Sequence, residues 1–231
     1  MTTVLLVRHG RSVANTAGLL AGRGEGVELD DTGRAQAERV ATRLAGIDLA
    51  AAVTSPILRC QQTTELALAG HPDVARHTEE QLTECDYGAW TGKKLSDLAG
   101  EDLWKVVQHT PSAATFPDGE SMPAMSARAG AAIRRWDARI GEQHGPSATW
   151  VAVSHGDVIK AILADALGLH LDLFQRIMVD PASVSMINFH AGRPSVITMN
   201  STGADLVDMV PKAPSEDAAV GGGLGSAQPR A

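Results

Sequence analysis

Two short apolar runs, residues 3–7 (TVLLV) and 149–153 (TWVAV), carry no polar alternation. Runs of this length rich in β-branched residues mark strands buried on both faces, as in a parallel sheet. Residues 49–54 (LAAAVT) read the same way. Between them the period changes. Ala37, Val40, Ala41 and Leu44 recur at helical spacing, with Thr32 as the expected N-cap and Gly46 as the stop. Ser55-Pro56 is expected to open a second helix, with proline in its first turn. From Ser121, the residues Met122, Met125, Ala129, Ile133, Trp136 and Ile140 line one face of a long helix ending near Gly145-Pro146. Residues 157–167 form another helical stretch, and 183–189 with 195–200 a hairpin across Ala191-Gly192-Arg193-Pro194.

Strands alternating with helices imply βαβ units and an α/β fold, here a three-layer α/β/α sandwich with a largely parallel central sheet. Residues 81–117 hold short helical patterns broken by Gly and Pro and are expected to cap one edge of the sheet. After residue 210 the composition turns to Pro, Ser, Gly and Ala, so 211–231 is expected to be a disordered tail on a single domain spanning 1–210.

Composition narrows the function classes. A net charge of −7 argues against a general nucleic-acid binder but leaves an anionic small substrate open. Two cysteines, Cys60 and Cys85, are too few for a disulfide framework. No apolar run has the length of a membrane span, and the N-terminus lacks the basic region of a signal peptide. These features lead to the expectation of a cytoplasmic protein with no membrane partner.

Four short motifs carry the chemistry. Arg8-His9-Gly10 follows the first strand, and Ser154-His155-Gly156 follows the strand at 149–153 and precedes a helix. Ligands of open α/β sheets bind at the carboxyl ends of strands, so both histidines fall at one edge. An arginine beside the first can hold an anion through bidentate bonds, and the helix after Gly156 adds backbone donors and a favourable dipole. Ser55-Pro56-Ile57-Leu58-Arg59 puts Arg59 one turn beyond the second strand, within reach of that edge. Glu84 begins the fourth motif, Glu84-Cys85-Asp86-Tyr87-Gly88-Ala89-Trp90-Thr91-Gly92.

Taken in order along residues 4–200, these motifs resemble the histidine phosphatase superfamily, the phosphoglycerate mutase-like clan. The resemblance implies that His9 is the nucleophile that becomes phosphohistidine. Arg8, Arg59 and His155 would hold the phosphoryl oxygens, Asn15 would lie in the phosphate pocket, and Glu84 would protonate the leaving oxygen. Phosphoryl transfer needs an in-line nucleophile and charge stabilisation on three equatorial oxygens, which two arginines and a histidine can supply. No H-x-x-x-H, D-x-D or clustered His/Cys pattern holds a metal, and no cofactor is expected.

Arg11 departs from the family, where an acidic residue commonly follows His-Gly. Arg11, Ser12, Arg23 and Gly156 are further phosphate-binding candidates. The expected activity is metal-independent hydrolysis of a small phosphorylated metabolite. A phosphomutase using the same phosphohistidine is the alternative, although the Cys85–Gly92 loop is more like the phosphatase branch. A catalytically silent phospho-ligand binder fits less well, because Arg8, His9, Arg59 and His155 are all intact. An edge strand in the C-terminal hairpin leaves a homodimer open.

Overall fold

A computed structural model of the chain describes residues 2–190, 193–203 and 221. Six strands form one sheet: β1 (Thr3–Arg8), β2 (Leu49–Thr54), β3 (Arg76–Thr78), β4 (Thr149–Ser154), β5 (Val184–His190) and β6 (Arg193–Ser201). Their order is β3-β2-β4-β1-β5-β6. The first four neighbours run parallel, while β5 pairs antiparallel with β1 and β6 antiparallel with β5. Helices α2 (Asp31–Leu44) and α3 (Leu58–Ala67) cover one face. Helices α6 (Met122–His144) and α7 (Gly156–Ala166) cover the other. The expected sandwich with a largely parallel sheet is therefore present.

The alternation of side chains along β1 explains why the strand is apolar throughout. Leu5 and Val7 pack with Val40 and Leu44 of α2 and Cys60 of α3. Val4 and Leu6, pointing the other way, join Met125 and Ile133 of α6 and Ile159 of α7. None of the four is more than 2% exposed. Burying such side chains stabilises by roughly 1.5–3 kcal/mol each, so the strand is anchored from both layers.

Two local expectations are corrected, and one strand is added. Asp30, not Thr32, caps α2: its Oδ1 accepts from Gly33 N–H at 2.7 Å. Asp31 is already helical, so Thr32 lies too far inside to cap. Helix α3 begins at Leu58 rather than at Ser55-Pro56, with Ile57 at the N-cap and no side-chain cap bond. Ser55 instead turns its hydroxyl to His155, 2.8 Å away. Residues 76–78, which sequence periodicity passes over, add the edge strand β3.

Residues 81–117 include two short helices, α4 (Leu95–Leu98) and α5 (Asp102–His109). Leu82, Tyr87, Trp90, Leu98, Val107 and Phe116 from this stretch join the same core cluster as α6 and α7. The segment is thus packed into the fold rather than laid on it. The tail expected at 211–231 lies outside the described residues except for Gly221, as do Ala191 and Gly192 of the hairpin turn. Among the described residues no helix is long and apolar enough to cross a membrane.

The loop after β1 touches α2 backbone to backbone. A Cβ on Gly10 would lie 2.4 Å from Gly33 O, and one on Gly33 only 1.9 Å from Arg11 O. No side chain can yield there, so Gly33→Ala must push α2 away from the loop that carries His9. Overpacking of this kind costs about 1–3 kcal/mol. At roughly 2–4 °C per kcal/mol for a domain of this size, thermal denaturation should show Tm lowered by several degrees. An unchanged Tm would mean that the close approach is not structural.

Candidate active site

The parallel pairing of β1 with β4 matches Arg8 with Ser154, so the next residues, His9 and His155, leave the sheet side by side. His9 N–H donates to Ser154 O at 3.0 Å, and the two imidazoles meet edge to face, centroids 5.3 Å apart. β2 lies on the far side of β4 and ends at Thr54. Arg59, in the first turn of α3, reaches back over the same edge. Its Nε donates to His9 Nε2 at 3.2 Å, and its Nη2 donates to Gly22 O at 2.8 Å and to His155 Nδ1 at 3.0 Å.

These contacts assign the tautomers. A guanidinium can only donate, so both nitrogens facing Arg59 carry lone pairs. His9 then bears its proton on Nδ1, which donates to Gly10 O at 2.7 Å. His155 bears its proton on Nε2, which donates to Ser55 Oγ at 2.8 Å. Burial holds His9 well below the ordinary histidine range, and the positive charges of Arg59 and Arg8 push it further the same way. Burial, then Arg59, do the same to His155. His9 is therefore a neutral imidazole with an available Nε2 lone pair.

Arg59 is 1% exposed. Its Nη1 is buried and makes no hydrogen bond among the described residues. A buried donor without a partner is uncommon and is satisfied when an acceptor enters. Arg59 borders a narrow recess whose polar wall is His9, Ser12, Asn15, Arg59 and Glu84. Ser12 and Asn15 cap the short helix α1 (Val13–Thr16). Ser12 N–H and Oγ–H both donate to Asn15 Oδ1, at 3.0 and 2.8 Å. That occupies the amide oxygen and leaves the NH₂ donors of Asn15 for the recess.

Glu84 is 2% exposed, and Cys85 N–H donates to its Oε1 at 3.0 Å. Burial first, and the negative charge of Asp157 second, push its carboxyl up to about 7. Its loop is clamped by residues that no motif announced. Arg23 Nε and Arg128 Nη2 donate to the Glu84 carbonyl at 2.9 and 3.1 Å. Both guanidinium groups also pair with Glu120, at 3.0 and 2.6 Å. Glu120 further accepts from Asp86 N–H at 2.9 Å. Asp157, fully buried at the start of α7, accepts from Tyr87 Oη at 2.8 Å and from Gly221 N–H at 3.1 Å.

The other expected site residues fall in different places. Arg8 and His155 are buried behind the recess rather than in its wall; Arg8 Nη1 donates to Val179 O at 2.7 Å. Gly156 opens α7, and Asp157 beside it sets a buried carboxylate on the positive end of that helix. Arg11 is corrected: it turns away from the recess, its Nε on Asp30 Oδ2 at 2.6 Å and its Nη2 on Thr32 Oγ1 at 2.7 Å. Arg23 is corrected likewise, because Glu120 and the Glu84 carbonyl occupy its guanidinium and it does not line the recess. Each cation found an acidic partner nearer than the pocket.

Comparison with known proteins identifies the family. Residues 4–202 match the family model described as histidine phosphatase superfamily, branch 1. The chain is similar to phosphoserine phosphatase 1 of Hydrogenobacter thermophilus, 29% identical over 206 residues, covering 87% of this chain and 93% of that one. It is similar to an acid phosphatase of Mycobacterium tuberculosis, 30% identical over 203 residues, with the same coverages of 87% and 93%. Among solved structures, Bacillus stearothermophilus YhfR superposes with a TM-score of 0.79 at 26% identity, over 87% of this chain and 98% of that one. Fold, motif order and family match coincide, and the chain belongs to branch 1 of the histidine phosphatase superfamily.

Proposed function

We propose that the protein is a phosphatase that hydrolyses a small phosphomonoester through a phosphohistidine on His9. The observation that carries this reading is the buried Arg59 guanidinium, whose Nη1 makes no hydrogen bond among the described residues while its Nε meets the lone pair of His9 Nε2. A phosphoryl group entering there would satisfy the guanidinium with its oxygens and present phosphorus to the nitrogen.

In the first step His9 Nε2 forms a bond to phosphorus, the ester P–O bond breaks, and Glu84 gives its proton to the leaving oxygen. In the second step water attacks phosphorus, Glu84 takes its proton, and the N–P bond breaks to release phosphate. Arg59 and the Asn15 amide donate to the equatorial oxygens, and Arg8 adds positive field from behind. His155 Nδ1 can become a donor if its proton moves from Nε2, because the Ser55 hydroxyl can then donate to Nε2 in return. The charge on the transferring group is met by guanidinium groups, so activity should survive a chelator.

The acid–base requirements fix the pH dependence. Glu84 must be protonated, so kcat/KM should fall as pH rises through about 7. His9 must be neutral, and its pKa lies well below 6.5, so the acid limb lies below that value. Glu84→Gln should remove the alkaline limb and cost on the order of 10²–10⁴ in rate. Its effect on stability has the opposite sign. With a folded pKa of about 7 against an ordinary 4.5, the protonated Glu84 contributes stability that is lost as pH rises. The Gln variant stays neutral, so its Tm should exceed that of the wild type at alkaline pH and approach it at low pH.

The first experiment is phosphate release from a panel of phosphoesters across pH, in chelator. Release with an alkaline limb near 7 supports the reading. Transfer of the phosphoryl group to an added alcohol or second metabolite without net release would point to a mutase.

A further inference from the structure

The geometry points to a substrate whose alcohol is uncharged and largely apolar, without a carboxylate; this deepens the phosphatase reading and rests on it. Beyond the polar wall, the recess is completed by Leu19, Leu20, Ala21 and Leu95, with the backbone of Gly22 and Gly221 at its rim. A leaving group that extends from phosphorus at His9 along this recess would lie against these side chains.

The apolar wall is built as a fixed surface. Leu20 N–H donates to Lys93 O at 2.9 Å, Gly92 N–H to Leu20 O at 2.8 Å, and Leu95 N–H to Gly18 O at 2.9 Å. This short antiparallel stitch, with Leu19 bridged to Lys94, joins the loop after α1 to the segment before α4. Leu20 is 1% exposed. The hydrocarbon wall is therefore held in place by backbone bonds.

Among the described residues, the cations around this mouth other than Arg59 are engaged elsewhere or face away. Arg11 is on Asp30, and Arg23 is on Glu120 and Asp86. Lys93 Nζ lies 3.7 Å from Glu101. Lys94 is exposed and is not part of the wall, as expected for the neighbour of Leu95 in an extended stretch. A substrate carboxylate on this wall would be desolvated against leucines beside the Glu84 carboxyl, with Arg59 committed to the phosphoryl group. Burying an unpaired charge is strongly unfavourable, whereas each buried methylene improves binding roughly fourfold.

The test compares esters of primary alcohols, which keeps the leaving groups alike: ethyl phosphate, n-butyl phosphate, 3-phosphoglycerate and O-phosphoserine. For wild type, kcat/KM for butyl phosphate should exceed that for ethyl phosphate by about fifteenfold, the gain of two methylenes. It should exceed both carboxylated esters by at least about tenfold. Leu95→Arg should raise the 3-phosphoglycerate to butyl phosphate ratio by about tenfold or more, through a new charge-assisted pair. Ala21→Arg on the same wall should do the same and stands in if the Leu95 variant does not fold. Wild-type preference for 3-phosphoglycerate or phosphoserine over butyl phosphate overturns the inference while leaving the phosphatase reading intact. Release from none of the four esters overturns that reading, and the inference with it.

Discussion

His9→Ala should abolish phosphate release, with a loss on the order of 10³-fold or more in kcat, because it removes the atom that bonds to phosphorus. The prediction depends on the state of His9. Burial and two neighbouring guanidinium groups keep the ring neutral, and the Gly10 carbonyl holds its proton on Nδ1. The Nε2 lone pair is therefore available at every pH at which the protein is expected to act. Arg59 meets that lone pair at 3.2 Å and must yield it when phosphorus arrives. The variant should remain folded, since the Ser154 carbonyl is bound by the backbone N–H of residue 9 rather than by its ring. Steady-state assays beside a thermal melt test this. A folded variant that keeps more than a small fraction of the wild-type rate contradicts the nucleophile assignment.

Arg59→Met should be nearly as damaging, with a loss on the order of 10²–10³-fold from removing a preorganised donor to the transferring group. It should also change the pH profile. After burial, the positive charge of Arg59 does most to hold both histidines down. Without it the His9 pKa rises, so the acid limb should move to higher pH. Arg59→Lys separates charge from shape. Lysine restores a positive charge, but one ammonium cannot contact His9 Nε2, the Gly22 carbonyl and His155 Nδ1 as the planar fork does. The Lys variant should return the acid limb toward its original position while recovering little of the rate. Full recovery of both would mean that the fork geometry is unimportant.

The contrast between what sequence revealed and what it hid follows the range of the interactions. β1 and β4 were legible because strands buried on both faces leave continuous apolar runs. Three of the four motifs were legible because each sits within a few residues of a strand end, where the fold gathers its ligands, and the Glu84 motif was legible from its own pattern of residues. Residues whose partners lie far along the chain were not. Arg11 looked like a pocket cation because it follows His9 and Gly10, yet it pairs with Asp30, 19 positions away. Arg23 pairs with Glu120, 97 positions away, in a network that fixes the Glu84 loop. No local period records such a pairing. β3 was missed because three partly exposed residues at a sheet edge have no hydrophobic pattern. The contact of Gly221 with Asp157 came from a stretch whose composition suggested no fixed place at all.

The central claim is the covalent intermediate, and rapid-quench mass analysis of the intact protein during turnover tests it most directly. Wild type mixed with a turned-over ester and quenched in base should carry one phosphoryl group, stable to base and labile to acid, on the peptide containing His9. The His9→Ala protein should carry none. Sustained phosphate release with no adduct on any time scale, or an adduct on another residue, would contradict the account.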